Sequence, residues 1–193
     1  MISPASRAMR GSSDLVVPRR IYCIDSSSLI YCQRSFGHRP SQAAFFAAVW
    51  DLLDRLADDG RLIAPHLVFI EITKNKDRLG LWAEGRTDVF RPKGEHAALV
   101  VEILKEPGQQ LVDPTAARGS EEADPWVIAL AEAVMAQPPT LFDDPSTIYV
   151  VCEETKPGGM PDICKRRRIE CIDFIGMLAA EGIAIGPSVP FQD

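Results

Sequence analysis

Residues 19–30 read Arg-Arg-Ile-Tyr-Cys-Ile-Asp-Ser-Ser-Ser-Leu-Ile, and this stretch decides the fold. Arginines bound the apolar run Ile21 to Ile24 on one side and serines bound it on the other, the punctuation of a short buried strand. The run ends on Asp25, and Ser26, Ser27 and Ser28 mark a turn or a helix start. In open α/β sheets, sites form beyond the carboxyl ends of the strands. Asp25 is thus predicted to stand on the edge where chemistry is done.

Working outward, residues 41–59 carry the clearest helical pattern. Phe45, Val49, Leu52, Leu53 and Leu56 recur at three- and four-residue spacing, Ser41 is able to cap the helix and Gly60 to close it. Residues 61–64 (RLIA) predict a second short strand, and Pro65 suits the first position of a helix over 65–77 that carries Glu71. Residues 78–105 read as helix interrupted at Gly80, Gly85, Pro92 and Gly94, with 95–105 the best segment, and 106–120 as a connection holding a short strand at 109–113. Asp124-Pro125 opens a helix running to about Ala136, the aspartate as its cap and the proline in its first turn. Residues 147–152 (TIYVVC) give the strongest strand signal. A loop over 153–162, a strand over 168–172, a short helix over 173–182 and a last strand or tail at 183–186 complete the pattern. Strands alternating with helices predict an α/β fold: one domain over 19–186, with a mostly parallel sheet of about four to five strands flanked by helices. Residues 1–18 are read as a flexible arm and 187–193 as a tail.

The bulk numbers agree with such a domain and exclude several alternatives. The chain has 193 residues, 46% hydrophobic and 25% charged. No apolar run is long enough to span a bilayer, and the first residues lack the apolar core of a secretory signal, so a cytoplasmic protein is expected. The five cysteines, Cys23, Cys32, Cys152, Cys164 and Cys171, form no Cys-x-x-Cys pair and read as small hydrophobes in a reducing compartment. The three histidines show no triad-like partner. Trp50 and Trp126 read as core, while Trp82 stands between core packing and base stacking. Net charge is 21 − 27 = −6, which suits nucleic acid poorly unless part of the acid is gathered at a metal site. The run Lys165, Arg166, Arg167 and Arg168 is a local exception, suited to contacts with an RNA backbone.

The carboxylates converge on one edge of the predicted sheet. Asp25 ends the first strand, and Glu153 and Glu154 end the TIYVVC strand, with Glu153 ranked slightly higher. Asp124 opens a helix on that edge, Asp162 follows the last loop and Glu71 lies a turn or two into the helix after the second strand. Each has an ordinary alternative: turn former, helix cap, loop residue or solvated helix face. Packed together, however, like charges repel strongly, and hard cations such as Mg²⁺ and Mn²⁺ are what oxygen ligands hold.

These segments resemble, in order, the motifs of PIN-domain nucleases. Ile24 to Ile30 (IDSSSLI) resembles the opening motif; APHLVFIEITKN, which contains Glu71, the helical glutamate motif; ADPWVIALA at 123–131 the third; and VVCEE…PDICKRRRIECIDFIGML the closing segment. The resemblance covers roughly residues 20–182 and is nearest to VapC-like toxins with an Ala-Asp-Pro-Trp third motif. It implies that Asp25, Glu71, Asp124 and Asp162 bind Mg²⁺ or Mn²⁺, that Ser27 orients Asp25 or a water, and that Glu153 is an outer ligand. It further implies an endoribonuclease, the toxin of a toxin–antitoxin pair, that hydrolyses RNA phosphodiesters with metal-activated water, meets a cognate antitoxin and forms a homodimer, with no role at a membrane. The chain departs from compact toxins in its longer span from Pro40 to Asp124 and its longer loop over 155–161. The alternatives are a non-catalytic PIN-like binding module and an aspartyl-phosphate phosphotransfer domain; for the latter, Ser27 stands where a second acid is wanted.

Overall fold

Tyr22, Cys23 and Ile24 are fully buried, as a central strand covered on both faces requires. In the computed structural model, which describes residues 18–36, 43–92, 94–112, 122–138 and 146–183, they belong to β1 (Arg19–Ile24). β2 (Leu62–Pro65), β3 (Phe90–Arg91), β4 (Ser146–Val151) and β5 (Glu170–Ile172) complete a five-stranded sheet of order β3-β2-β1-β4-β5. Every neighbouring pair is parallel. Eight helices are described: α1 (Ser26–Phe36), α2 (Ala43–Asp58), α3 (His66–Ile72), α4 (Arg78–Gly85), α5 (Ala97–Leu104), α6 (Asp124–Met135), α7 (Met160–Arg166) and α8 (Phe174–Ala180). The α/β class with a parallel sheet follows as expected. No helix among the described residues is long and apolar enough to cross a membrane.

Successive residues of β1 serve opposite layers, as strand geometry dictates. Cys23 faces α6, and its thiol donates to the Val127 carbonyl at 3.3 Å. Tyr22 faces the other way, stacks on Tyr149 and donates its hydroxyl to Glu181 at 2.7 Å. Arg61 also reaches Glu181 and donates its Nε–H to the Arg20 carbonyl, which ties the end of α8 to the amino edge of the sheet.

Several elements differ from the sequence expectation for local reasons. Pro65 closes β2 in extended conformation (φ −70°, ψ 153°), so α3 begins one residue later, at His66. That helix stops at Ile72, short of residue 77: the Thr73 hydroxyl bonds back to the Phe69 carbonyl at 2.7 Å, and Asp77 then caps α4 through the Gly80 N–H. β3 is only two residues long and lies inside the stretch read as broken helix. Described residues 109–112 form no strand. Asp124 is the first residue of α6, with Ala123 in the cap position and no side-chain capping bond. Residues 160–166 are helix, so Asp162 lies in a first helical turn where a loop is expected. The arm over 1–17, Ser41, and the tail from 184 onward lie outside the described residues.

Candidate functional site

From β1 the chain moves outward through β2 to β3, then returns to build β4 and β5 on the other side. The sheet therefore reverses its order between β1 and β4, and the crevice at their carboxyl ends is the favoured place for a ligand. Ile24 pairs with Val151 there, and the Asp25 N–H donates to the Val151 carbonyl at 2.9 Å. Each strand delivers acid just beyond this pair, Asp25 from β1 and Glu153 and Glu154 from β4.

Asp25 is only 3% exposed. Its carboxylate accepts the Ser27 backbone N–H at 3.0 Å, which fixes it over the first turn of α1, where the helix dipole favours negative charge. The Ser27 hydroxyl accepts the Glu153 N–H at 3.3 Å and so joins the two strand tips. Glu71, on α3, is half-buried. Burial pushes its carboxyl up, a bond from Ser26 opposes this, Asp25 raises it further, and Lys74 and the Ala123 backbone N–H lower it. Asp124 is pushed up to about 7, by burial first and then by the charges of Asp25 and Glu154; Lys156 opposes the shift and Glu122 adds to it. Asp25, Glu71, Asp124 and Glu154 thus form one electrostatically coupled group.

The two acids after β4 have different surroundings. The Glu153 carboxylate accepts the Ser28 hydroxyl at 3.1 Å and the Phe174 N–H at 2.8 Å, binding the tip of β4 to α1 and α8. Glu154 is the one whose charge acts on Asp124. It folds beneath the following turn, where its carboxylate accepts the Met160 N–H at 2.6 Å and meets the Lys156 ammonium at 2.7 Å. Glycines make this possible: a Cβ on Gly159 would overlap the Glu154 carboxylate, and Gly158 has φ +74° and lies against the Gly108 carbonyl. Past the last paired residue of β4, strand alternation no longer fixes direction, so the sequence holds no signal that separates Glu153 from Glu154.

The remaining expected residues have other surroundings. Asp162 is exposed, and its carboxylate accepts the Gly158 N–H at 2.7 Å, steadying the turn. In the basic run, Arg167 is clamped by Glu106 at 2.6 Å and by Glu132, and Arg166 donates to the Pro107 carbonyl at 3.0 Å. Lys165 and Arg168 face solvent. Trp82 donates its indole N–H to Asp54 at 3.0 Å and packs edge-on against Trp50. A cleft of about 250 Å³ opens between the tips of β4 and β5, lined in part by Glu153, Glu154, Thr155 and Asp173.

The donor chemistry suits a hard divalent cation. The oxygens are carboxylate, and burial with like charge leaves Asp124 short of a counter-ion. Among the described residues no three His, Cys, Asp or Glu side chains converge closely enough to hold a metal between them. Mg²⁺ usually keeps several waters and takes only one or two carboxylates. Asp25 and Asp124, with Glu71 beside them, are the carboxylates that could hold a hydrated Mg²⁺ or Mn²⁺.

Compared with protein families, residues 22–185 match the model of DUF4411, described as a domain of unknown function. Comparison with curated proteins and with solved structures gave no match.

Proposed function

The chain belongs to the DUF4411 family, and from the site it carries we propose that it is a metal-dependent endoribonuclease that hydrolyses RNA phosphodiesters. The observation that carries this reading is the coupled group of Asp25, Glu71 and Asp124 at the switch point of a parallel sheet. Such a concentration of charge is unfavourable without a cation, and its position is where α/β enzymes bind their ligands.

A bound Mg²⁺ or Mn²⁺ would lower the pKa of a water and stabilise charge on the phosphodiester during in-line attack. Asp25 and Asp124 would hold the cation. The Ser27 N–H keeps Asp25 in one orientation, and Ser26 and the Ala123 N–H restrain Glu71. Without a cation Asp124 is raised to about 7 by burial and the charges of Asp25 and Glu154, so binding the cation near neutral pH would release its proton. Asp162 acts on the site through the turn that it steadies. By the resemblance to VapC-like toxins, the proposal extends to a toxin whose antitoxin covers this edge and to a homodimer, with Lys165 and Arg168 free to contact RNA.

A second reading, a non-catalytic binding module, draws on one observation: among the described residues no three potential ligands converge. Cleavage of total RNA with Mn²⁺, with Mg²⁺ and with EDTA decides between them. The nuclease reading expects metal-dependent cleavage that leaves 5′-phosphate ends and falls by roughly 10²-fold or more in Asp25→Asn, since even outer residues of metal sites contribute 10- to 100-fold. Equal cleavage by Asp25→Asn would refute the site. No cleavage, with no Mn²⁺ binding, would favour the module.

A further inference from the structure

A phosphodiester approaching this acidic edge needs a positive group close to the carboxylates, and in the run at 165–168 only the outer members, Lys165 and Arg168, are open to it. The two central arginines are engaged by Glu106, Glu132 and the Pro107 carbonyl. Lys156 is differently placed. It lies two residues beyond Glu154, and its ammonium is 2.7 Å from Glu154 Oε1. The lysine side chain is 49% exposed and the glutamate 15%, so the cation is the outward member of the pair. Its charge reaches beyond that partner to Asp124 and Glu122.

The turn that carries Lys156 is held at several points. Asp162 accepts the Gly158 N–H at 2.7 Å, and the Gly158 carbonyl accepts the Gln110 N–H at 2.8 Å. The Gly159 N–H closes on the Lys156 carbonyl at 3.1 Å. The lysine backbone is thereby fixed beside the site, while a long side chain with three donors remains in solvent. The ammonium is the exposed member of a pair whose carboxylate is largely buried, and its outward position admits a role beyond that pair. That role follows from charge: an ammonium standing between an inner acidic group and bulk water is the first part of the site that an incoming phosphate meets.

We propose that Lys156 is a phosphate-contacting residue of this site, binding a backbone phosphate of RNA and holding the chain against Asp25 and Asp124. The inference rests on the ribonuclease reading and adds to it the substrate's point of attachment.

The test is fluorescence anisotropy with a labelled single-stranded RNA oligonucleotide, in Ca²⁺ and from about 50 to 200 mM KCl, for wild type, Lys156→Gln and Lys156→Arg. Arg55→Gln, an exposed change in α2 at the opposite edge, serves as control, and Mn²⁺ affinity is measured alongside. Each phosphate neutralised on a single strand contributes about 0.7 to the slope of log affinity against log salt. Lys156→Gln is expected to weaken binding several-fold at low salt and lower that slope by about 0.7, without weakening Mn²⁺ binding. Lys156→Arg is expected to stay near wild type, and Arg55→Gln to leave the slope unchanged. Wild-type affinity and slope in Lys156→Gln would overturn the inference while the ribonuclease reading stands. An equal loss of Mn²⁺ affinity, or a loss not rescued by arginine, would overturn the phosphate contact by making Lys156 a support for the carboxylates. Failure of the wild type to bind RNA at all would overturn both.

Discussion

Asp124 shows how burial and neighbouring charge bias a single carboxyl. Its ordinary value is 3.8, and in the folded protein it is pushed up to about 7 by burial, Asp25 and Glu154. Between these values the folded state binds more protons than the unfolded state. The contribution of this group is therefore fully present below about pH 4 and is lost as pH rises through about 7. The metal-free protein should show a melting temperature that falls between pH 5 and pH 8 more steeply in wild type than in Asp124→Asn; parallel curves would contradict the coupling. Cysteine behaviour follows from burial too. The bond with Cys152 lowers the Cys171 thiol, but Cys164 and burial together push it up to about 12, and burial pushes Cys23 and Cys32 up. Since the thiolate is the nucleophile, iodoacetamide at pH 7.5 should modify the native protein far more slowly than the denatured chain; comparable rates would contradict this. At this scale the sequence identifies Asp25 from its strand-end position and Asp124 from Asp-Pro. It gives no basis for choosing Glu154 over Glu153, because their directions are set by a Gly-Gly turn, Ser28 and α8, all distant from the strand pattern that precedes them.

The elements legible in the sequence are those whose own periodicity suffices: β1, α2, β4 and α6 fall within about two residues of the expected ranges. Those that differ depend on tertiary partners. β3 has two residues and exists because Ala64 and Pro65 of β2 pair with it. α7 has seven residues behind Pro-Gly-Gly; it is held by the Glu154 carboxylate at its first N–H and by Arg167 at its far end. The Arg167 clamp joins α7 to α6 through Glu132 and to the end of α5 through Glu106. Replacing it with methionine takes the cation from Glu132 and leaves Glu106 with Arg166 alone, and should lower stability by about 2 kcal/mol, with Mn²⁺ affinity retained. Chemical denaturation checks this, and an unchanged midpoint would count against the clamp. Glu153→Ala should likewise destabilise by about 2 kcal/mol, because the Ser28 hydroxyl and Phe174 N–H lose a charged acceptor. It too should leave Mn²⁺ binding intact; a large loss of affinity would return Glu153 to the cation-binding group.

For the whole molecule, alternation of strand and helix is enough to predict an α/β fold with a parallel sheet. The order β3-β2-β1-β4-β5 is not contained in any one segment and depends on which strands pair at long range. That order gives the acidic residues their shared location, since it brings the ends of β1 and β4 together and sets α6 behind them. It also accounts for an acidic chain, −6 overall, as a candidate for work on a polyanion: part of the negative charge is concentrated where a cation would neutralise it. The most direct test of that claim is isothermal titration of the metal-free protein with Mn²⁺ at pH 7.5, for wild type, Asp25→Asn and Asp124→Asn. The account predicts saturable binding by wild type and a loss of at least about ten-fold in affinity in each variant. Wild type that takes up no Mn²⁺, or variants that bind it as tightly as wild type, would contradict it.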